Sequence, residues 1–357
     1  MTVFSSPHFA GHEQVSFFHD AETGLKAIIA IHSTALGPAA GGCRMWSYVD
    51  DQAALDDVLR LSKGMSYKNA MADLALGGGK AVIIGDSRRD KTPALMTAFG
   101  RAVDSLGGRY VTAEDVGITV ADMATAANET RYISGLVKSG QAAGGDPSPK
   151  TAFGVFTGLR AAVEAKLGRA DLEGIRVAVQ GLGGVGYNLC RNLHEAGASL
   201  LVADIHDDQT AMAADEFGAE IVNVDEILFA DVDVVAPCAL GAVLNANTIP
   251  RLRAGIVAGG ANNQLATDSD GVRLKDRGIL FAPDYVINAG GIINVAAEYL
   301  GNRSEAEVDA DIERIGDRLH EIFALAEREG RPTNEVADAM AEARIREAAH
   351  RQGQRAA

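Results

Sequence analysis

Short apolar runs alternate along this chain with longer stretches in which apolar residues recur every three or four positions, the pattern of strands interleaved with helices. The runs at 13–19 and 25–32 read as two strands, and the turn-rich link 20–24 joins them as a hairpin. Residues 36–44, L-G-P-A-A-G-G-C-R, read as a glycine-rich loop whose backbone could line a small ligand. Asp51 offers an N-cap to a helix running to about Met71, with Leu55, Val58, Leu59 and Leu61 inward. A glycine turn at 76–79 delivers Lys80 to the start of a buried strand. A helix at 93–106, a strand at 110–112 and a helix at 119–127 follow. The small, polar stretch 139–149 carries two prolines and reads as a linker between domains. Ser148 as N-cap and Pro149 as first helical residue then start a helix over 150–166.

The second half repeats strand and helix. Strands are expected at 176–180, 199–203, 220–222, 232–236, 255–258 and 278–281. Helices are expected at 187–196, 207–217, near 246–252 and at 288–300. Two charged amphipathic helices at 304–329 and 332–350 close the chain, their charges reading as solvated faces. The whole is an α/β protein of two domains, with a boundary near 145.

One stretch carries a chemical signature. Gly181, Gly183 and Gly186 make G-x-G-x-x-G between a strand and a helix, and Asp204 ends the next strand 23 positions after Gly181. Gly181 permits a tight turn, Gly183 lets the backbone approach a pyrophosphate, and Gly186 lets helix and strand pack closely. The helix start, with Gly184 and Val185, offers unpaired N–H groups to the phosphates. The bland reading is an ordinary βα turn followed by a surface Asp. Strand before, helix after and acid at the right distance favour a Rossmann dinucleotide site. Ile205, His206, Asp207 and Asp208 supply no cation for a 2′-phosphate, so NAD is expected over NADP. Three loops end strands at one edge of the same sheet: 237–241 with Cys238 and Ala239, 259–264 with Asn262, and 282–291 with Asn288. Their small residues and amides suit a cofactor lying across the strand ends.

Composition narrows the field. The net charge of −15 argues against binding nucleic acid or an anionic membrane surface. No run approaches a membrane span, and the N-terminus has no signal-peptide core. Three widely spaced cysteines, Cys43, Cys190 and Cys238, suit a reduced cytoplasmic protein and no zinc site. His8 and His12 are four apart, but their Ser, Pro and Gly surroundings are not helical, so no metal is expected. Lys80 admits two readings: a functional base, or a lysine snorkelling to the surface at a strand edge. Glu114 and Asp115 lie at the C-terminal end of a strand, where open α/β sheets meet ligands.

Taken together, L-G-P-A-A-G-G-C-R, K-G-M-S-Y-K-N-A, G-G-G-K, A-E-D-V-G, P-S-P-K-T-A-F-G-V, Q-G-L-G-G-V-G, P-C-A-L-G, A-N-N-Q-L and A-P-D-Y-V-I-N-A-G-G resemble the glutamate/leucine/phenylalanine/valine dehydrogenase family, nearest its leucine-specific members. The resemblance covers nearly the whole chain, in order. It implies reversible NAD-dependent oxidative deamination of an L-amino acid to a 2-oxo acid plus ammonium. It implies a substrate-binding and oligomerisation domain over 1–145, completed by C-terminal helices at 330–357, and a Rossmann domain over 146–329. A cleft between them would close on substrate. By position, Lys68 matches the lysine that pairs with the substrate carboxylate, Lys80 the catalytic lysine and Asp115 the catalytic aspartate. Asn262 matches an asparagine that helps hold the carboxylate, Thr151 a residue near the nicotinamide carboxamide, and Gly41 a substrate-side backbone position.

The residue types suit that chemistry. Hydride leaves the α-carbon only when the amine is neutral, and water must then attack the iminium, so a base is needed near neutral pH. A lysine titrates near 10.4 in water; burial and nearby positive charge favour its neutral, basic form. Lys80 is therefore expected to activate water and Asp115 to exchange protons with the amine.

The side-chain pocket points two ways. Ala40 is smaller than the residue usual in leucine-specific relatives, and Gly79 also occurs in aromatic-specific ones. Ala113, Ile292 and Val295 look like a branched-chain pocket. A branched-chain substrate, leucine or valine, is the main expectation, and phenylalanine or tryptophan the alternative. No cation serves a glutamate side chain. A non-catalytic NAD-binding protein is a remote reading, because Lys80 and Asp115 are both kept. A 2-hydroxy-acid dehydrogenase would need a catalytic His in a convergent loop, and none stands there. A homo-oligomer is implied, with dimer, tetramer and octamer all open.

Overall fold

The computed structural model describes residues 2–136, 146–301 and 303–356. Most of the expected linker, 139–145, lies outside the described residues. The chain divides into two compact units: Met1–Gly145 with Val295–Arg303 and Ala341–Ala357, and Asp146–Asn294 with Ser304–Met340.

In the first unit, strands β1 (Gln14–Asp20) and β2 (Leu25–Ser33) form the expected antiparallel hairpin. Then come β3 (Ala39–Ala40), β4 (Cys43–Trp46), helix α1 (Asp51–Met71), β5 (Gly77–Ile84), α2 (Pro93–Asp104), β6 (Tyr110–Val111) and α3 (Val120–Ala126). The sheet order is β1-β2-β5-β3-β6, with β4 also on β5. Strand residues alternate between two covered faces. Ile29, Ile31, Ala81 and Ile83 pack with Met96, Phe99, Val103 and Met123 of α2 and α3. Ile28, Ala30 and Val82 pack with Ala54, Leu55, Val58 and Leu59 of α1. Burial on both faces explains why β2 reads as a continuous apolar run and not as an alternation.

The stretch 36–44 is not the loop that its glycines suggested. β3 pairs in parallel with Gly77–Gly78 and β4 with residues 81–84. The glycines serve close approach: a Cβ on Gly41 would lie 1.9 Å from the Gly79 carbonyl oxygen. The cap of α1 is Asp50, one residue earlier than expected, its side chain accepting from the Ala53 amide at 2.8 Å. Leu61 is only half-buried; Ala54 takes its place on the inner face.

The second unit holds α4 (Ser148–Leu167), β7 (Arg176–Gln180), α5 (Gly184–Glu195), β8 (Ser199–Ala203), α6 (Asp207–Phe217), β9 (Glu220–Ile221), β10 (Val234–Pro237), β11 (Ile256–Val257), α7 (Ser269–Asp276), β12 (Leu280–Phe281), α8 (Asp284–Ile287), α9 (Gly290–Leu300), α10 (Glu305–Glu329) and α11 (Thr333–Ala356). Residues 295–300 of α9 and 341–356 of α11, the greater part of each helix, count with the first unit. The sheet is wholly parallel, in the order β12-β11-β10-β7-β8-β9. Read from β9, this is the doubly wound order of a Rossmann fold, with its switch point between β7 and β10. α10 turns Val308, Ile312, Ile315, Leu319 and Ile322 inward, a 3.6-residue stripe.

Several local expectations shift. Pro147 precedes α4, Ser148 is already helical, and Asp146 accepts the Ser148 amide at 2.9 Å. The helix expected near 246–252 is a single tight turn, Ile249–Arg251, around Pro250, which has no amide to donate. α7 and α8 were not foreseen. Residues 330–340, expected with the first unit, stay with the second: Val336 and Ala337 are buried there, and the Thr333 hydroxyl donates to Phe281 O at 2.7 Å. Residues 295–303, expected in the second unit, join the first, where the Glu298 carboxylate accepts the amides of Gly135 and Leu136 at 3.2 and 3.0 Å. Residues 341–357 do return to the first unit: Arg344 donates to Ala70 O and Asp73, and Tyr67 to Glu342. Among the described residues, no helix is long and apolar enough to cross a membrane.

Candidate active site

The first unit brings Lys80 and Asp115 together. Segment 109–116 runs beside β3 and β4: Ala39 N donates to Arg109 O, Gly41 N to Val111 O, Cys43 N to Ala113 O and Met45 N to Val116 O, at 2.8–3.2 Å. That ladder carries Asp115 to the face of β5 shared by Lys80 and Val82, the face α1 covers. The Lys80 side chain is 7% exposed, and its Nζ lies 2.8 Å from Asp115 Oδ2. It is a buried, paired lysine and does not snorkel.

Arg44, from β4, is a third member that sequence reasoning missed. Its Nε donates to the same Asp115 Oδ2 at 3.1 Å, and its Nη1 to Asp57 Oδ2 on α1 at 3.1 Å. The Tyr48 hydroxyl and Arg60 Nη2 donate to the two Asp57 oxygens, each at 2.7 Å. Burial alone would raise the Asp115 carboxyl, but the charges of Lys80 and Arg44 hold it below the usual carboxylate range. Burial likewise works against the Arg44 charge, and Asp115 and Asp57 outweigh it, so that group is shifted upward. Asp115 is thus held as a carboxylate in a largely enclosed setting.

Around this pair, Ala40 is buried in β3 opposite Gly78, on the α1 side. A Cβ on Gly41 would meet Met65 of α1 at 2.9 Å. Lys68 is half-buried in the last turn of that helix. Ala113 is half-buried, and a Cβ on Gly135 would touch it at 3.9 Å. Val295 is half-buried within the first unit, while Ile292 belongs to the second. Gly79 faces away from Ala40: the ring of Tyr110 fills its side-chain space, 2.7 Å from where a Cβ would stand. Its smallness therefore makes room for a core tyrosine, whose hydroxyl donates to Gly41 O at 2.6 Å.

The second unit gathers the expected dinucleotide residues at the switch point. Gly181 adopts φ 92°, and a Cβ on Gly186 would lie 1.9 Å from Gly181 O, so helix α5 rests directly on the turn after β7. Gly183 precedes Gly184 and Val185 at the start of α5, and a Cβ there would have open space around it. Asp204 hangs over this turn, accepting the Leu182 amide at 2.6 Å and the His206 amide at 2.9 Å. Ala239 sits against Gly181, and Cys238 accepts the Gly260 amide at 3.4 Å. Asn288 Nδ2 donates to Asn262 Oδ1 at 2.8 Å and Gly260 O at 3.2 Å, while its own buried Oδ1 has no partner among the described residues. Thr151 stands at the start of α4, its hydroxyl 2.5 Å from where a Cβ on Gly291 would be. Gln264 was missed: fully buried, it donates to Gly259 O at 2.7 Å and Ala261 O at 3.0 Å and shapes the loop bearing Asn262. An open glycine cradle at a helix start, an oriented carboxylate and an orphaned buried amide oxygen fit a dinucleotide.

His12 is part of the packing: its Nδ1 accepts the Ala10 amide at 3.2 Å and its Nε2 faces Leu59 O at 3.0 Å. Among the described residues, no group of three His, Cys, Asp or Glu side chains could hold a metal ion.

The chain is similar to known proteins over nearly its whole length. Two family models match, "Glu/Leu/Phe/Val dehydrogenase, dimerisation domain" over residues 12–132 and "Glutamate/Leucine/Phenylalanine/Valine dehydrogenase" over residues 202–353. Leucine dehydrogenase of Geobacillus stearothermophilus is 52% identical over 345 residues, 97% of this chain and 94% of that protein. L-tryptophan dehydrogenase of Nostoc punctiforme is 48% identical over 346 residues, 97% of this chain and 96% of that protein. A crystal structure of L-tryptophan dehydrogenase from Nostoc punctiforme superposes with TM-score 0.84 at 47% identity, covering 95% of this chain and 97% of that one.

Proposed function

Because the chain belongs to the glutamate/leucine/phenylalanine/valine dehydrogenase family of amino-acid dehydrogenases, we propose that it catalyses the reversible, NAD-dependent oxidative deamination of a branched-chain L-amino acid, leucine or valine, to the 2-oxo acid and ammonium. The observation that carries the chemistry is the buried Lys80–Asp115 pair, 2.8 Å apart. Lys68 pairs with the substrate carboxylate. Asp115, kept ionised, takes a proton from the substrate ammonium and leaves a neutral amine. The α-carbon then loses hydride and its C–N bond becomes an iminium. Lys80 takes a proton from water as the water oxygen bonds to that carbon. Asp115 returns its proton to the nitrogen of the resulting carbinolamine; the C=O bond then forms as the C–N bond breaks, the hydroxyl proton passes to the departing ammonia, which leaves as ammonium, and Lys80 gives its proton to solvent. Lys80 and Asp115 are close enough to pass a proton between them.

When bound, the nicotinamide supplies the hydride acceptor. Gly181, Gly183, Gly184, Val185 and Gly186 would receive the pyrophosphate, Asp204 the ribose hydroxyls, and Thr151, Cys238, Ala239, Asn262 and Asn288 the nicotinamide end. Asp204 with Asp207 and Asp208 would repel a 2′-phosphate, which favours NAD. Asp204→Ala should weaken NADH binding by roughly tenfold and narrow the preference over NADPH, about the worth of one charge-assisted hydrogen-bonding group. Fluorescence titration with both cofactors measures this.

The aromatic alternative has one observation in its favour, the small Ala40 beside α1. Ala40→Leu should raise the kcat/KM ratio of leucine to phenylalanine by roughly 10- to 100-fold, the usual weight of methylenes in an apolar pocket. An unchanged ratio would remove Ala40 from the pocket. The proposed setting is a cytoplasmic homo-oligomer assembled through the first unit, whose matching family model is described as a dimerisation domain. The test of the reaction class is NADH oxidation with 4-methyl-2-oxopentanoate. It should require ammonium. Oxidation without ammonium would mean reduction of the ketone to a hydroxy acid.

A further inference from the structure

We propose that Arg44 is a positioning residue for this reaction: it clamps the Asp115 carboxylate between β4 and helix α1, so that Asp115 is fixed and ionised when it must accept the substrate's proton, while Lys80 stands neutral. The inference rests on the reading of Asp115 and Lys80 given above. Both cations meet one oxygen, Oδ2 of Asp115: Lys80 Nζ at 2.8 Å and Arg44 Nε at 3.1 Å. Only one of them can titrate. A guanidinium keeps its charge at any working pH, whereas the proposed mechanism needs Lys80 neutral for part of each cycle. Through that interval Arg44 is the cation that remains.

Arg44 is itself held at both ends. Its Nη1 lies 3.1 Å from Asp57 Oδ2, and Asp57 is fixed by the Tyr48 hydroxyl at 2.7 Å and Arg60 at 2.7 Å. A planar fork can span two carboxylates; a lysine at this position would reach one at a time. The Cys43 thiol on β4 and the Tyr110 phenol on β6 also feel the Asp115 charge, Asp122 on α3 acts on Cys43, and the Tyr48 phenol feels Asp57, Arg44 and Asp115. None of Cys43, Tyr110, Asp122 and Tyr48 is a cation. Loss of Arg44 removes positive charge from Asp115, which raises the pH at which that carboxylate gains its proton. Activity that needs ionised Asp115 is lost as pH falls through this value, so the acid limb of the pH–rate profile moves upward.

The experiment uses the purified full-length enzyme and L-leucine, comparing wild type, Arg44→Gln, Arg44→Lys, Asp115→Asn and the Arg44→Gln/Asp115→Asn double variant. NADH binding, measured by fluorescence, checks that each variant is folded. Arg44→Gln should lower kcat by roughly 10- to 100-fold, the range for a misplaced reacting group. It should change KM less than about threefold and move the acid limb of kcat/KM up by about one pH unit or more. Arg44→Lys should recover part of kcat. In the Asp115→Asn background, Arg44→Gln should cost less than about threefold more. An unmoved acid limb, or the same loss in both backgrounds, overturns the assignment of Arg44. Near-normal turnover in Asp115→Asn alone overturns the reading of Asp115 on which it rests.

Discussion

Lys80→Ala should lower kcat for L-leucine oxidation by roughly 10²- to 10⁴-fold, the contribution of a positioned general base, and leave NADH affinity within about twofold. The two effects separate because Lys80 lies in β5 of the first unit, whereas the glycine turn, Asp204 and the amide loops all lie in the second. A lysine with a 7% exposed side chain against a carboxylate is an expensive arrangement unless chemistry requires it. Asp115 would keep Arg44 as a partner in the variant, so the carboxylate is not stranded. Lys80→Met fills the same space without a basic nitrogen and controls for a cavity. Turnover near wild type in either variant would falsify the role of Lys80 as the base that activates water.

The second large effect concerns the dinucleotide turn. Gly186→Val should lower NADH affinity by at least about 100-fold and destabilise the second unit by roughly 1–3 kcal/mol, the usual cost of overpacking. The first added atom would lie 1.9 Å from Gly181 O and 3.3 Å from Cys238 Cβ, so α5 must move away from β7. That shift displaces the helix start that the proposed site offers to the phosphates. Gly183→Ala makes the contrast. A Cβ there meets nothing within 4 Å, so stability should change by less than about 0.5 kcal/mol. Its NADH affinity should still fall, because the methyl would occupy the approach that the proposed site offers to a pyrophosphate. Thermal unfolding and NADH titration of both variants separate the two mechanisms. Equal stability of Gly186→Val and wild type would contradict the packing account.

The fold of the second unit was legible because its determinants are local. Turn, helix start and acid fall within residues 176–204, and hydrophobic rhythm fixes the strands around them. The first unit was less legible because its site is assembled by pairings distant in sequence. Arg44 and Asp115 are 71 positions apart, and no spacing rule joins them. Glycines at 36–44 read as loop because flexibility is their commonest use; here they let β3 and β4 press against β5. Whether Lys80 was buried was equally undecided, since its partner is supplied by a segment after β6. The short β6 pairs with β3, a register that a two-residue strand cannot signal. Gln264 escaped notice because a buried amide that shapes a loop has no periodic signature. Family resemblance had marked Lys80 and Asp115 by position. It had not marked Arg44, Asp57 or Tyr48, the side chains that hold Asp115 in place.

The most direct test of the central claim is the initial rate of NADH formation at alkaline pH from L-leucine, L-valine, L-isoleucine, L-phenylalanine, L-tryptophan and L-glutamate. The account predicts the highest kcat/KM for leucine or valine and the lowest for glutamate. A maximum at phenylalanine or tryptophan would keep the chemistry and contradict the branched-chain assignment. No NADH from any of the six, with NADH binding intact, would contradict the claim that this chain is an amino-acid dehydrogenase acting through Lys80 and Asp115.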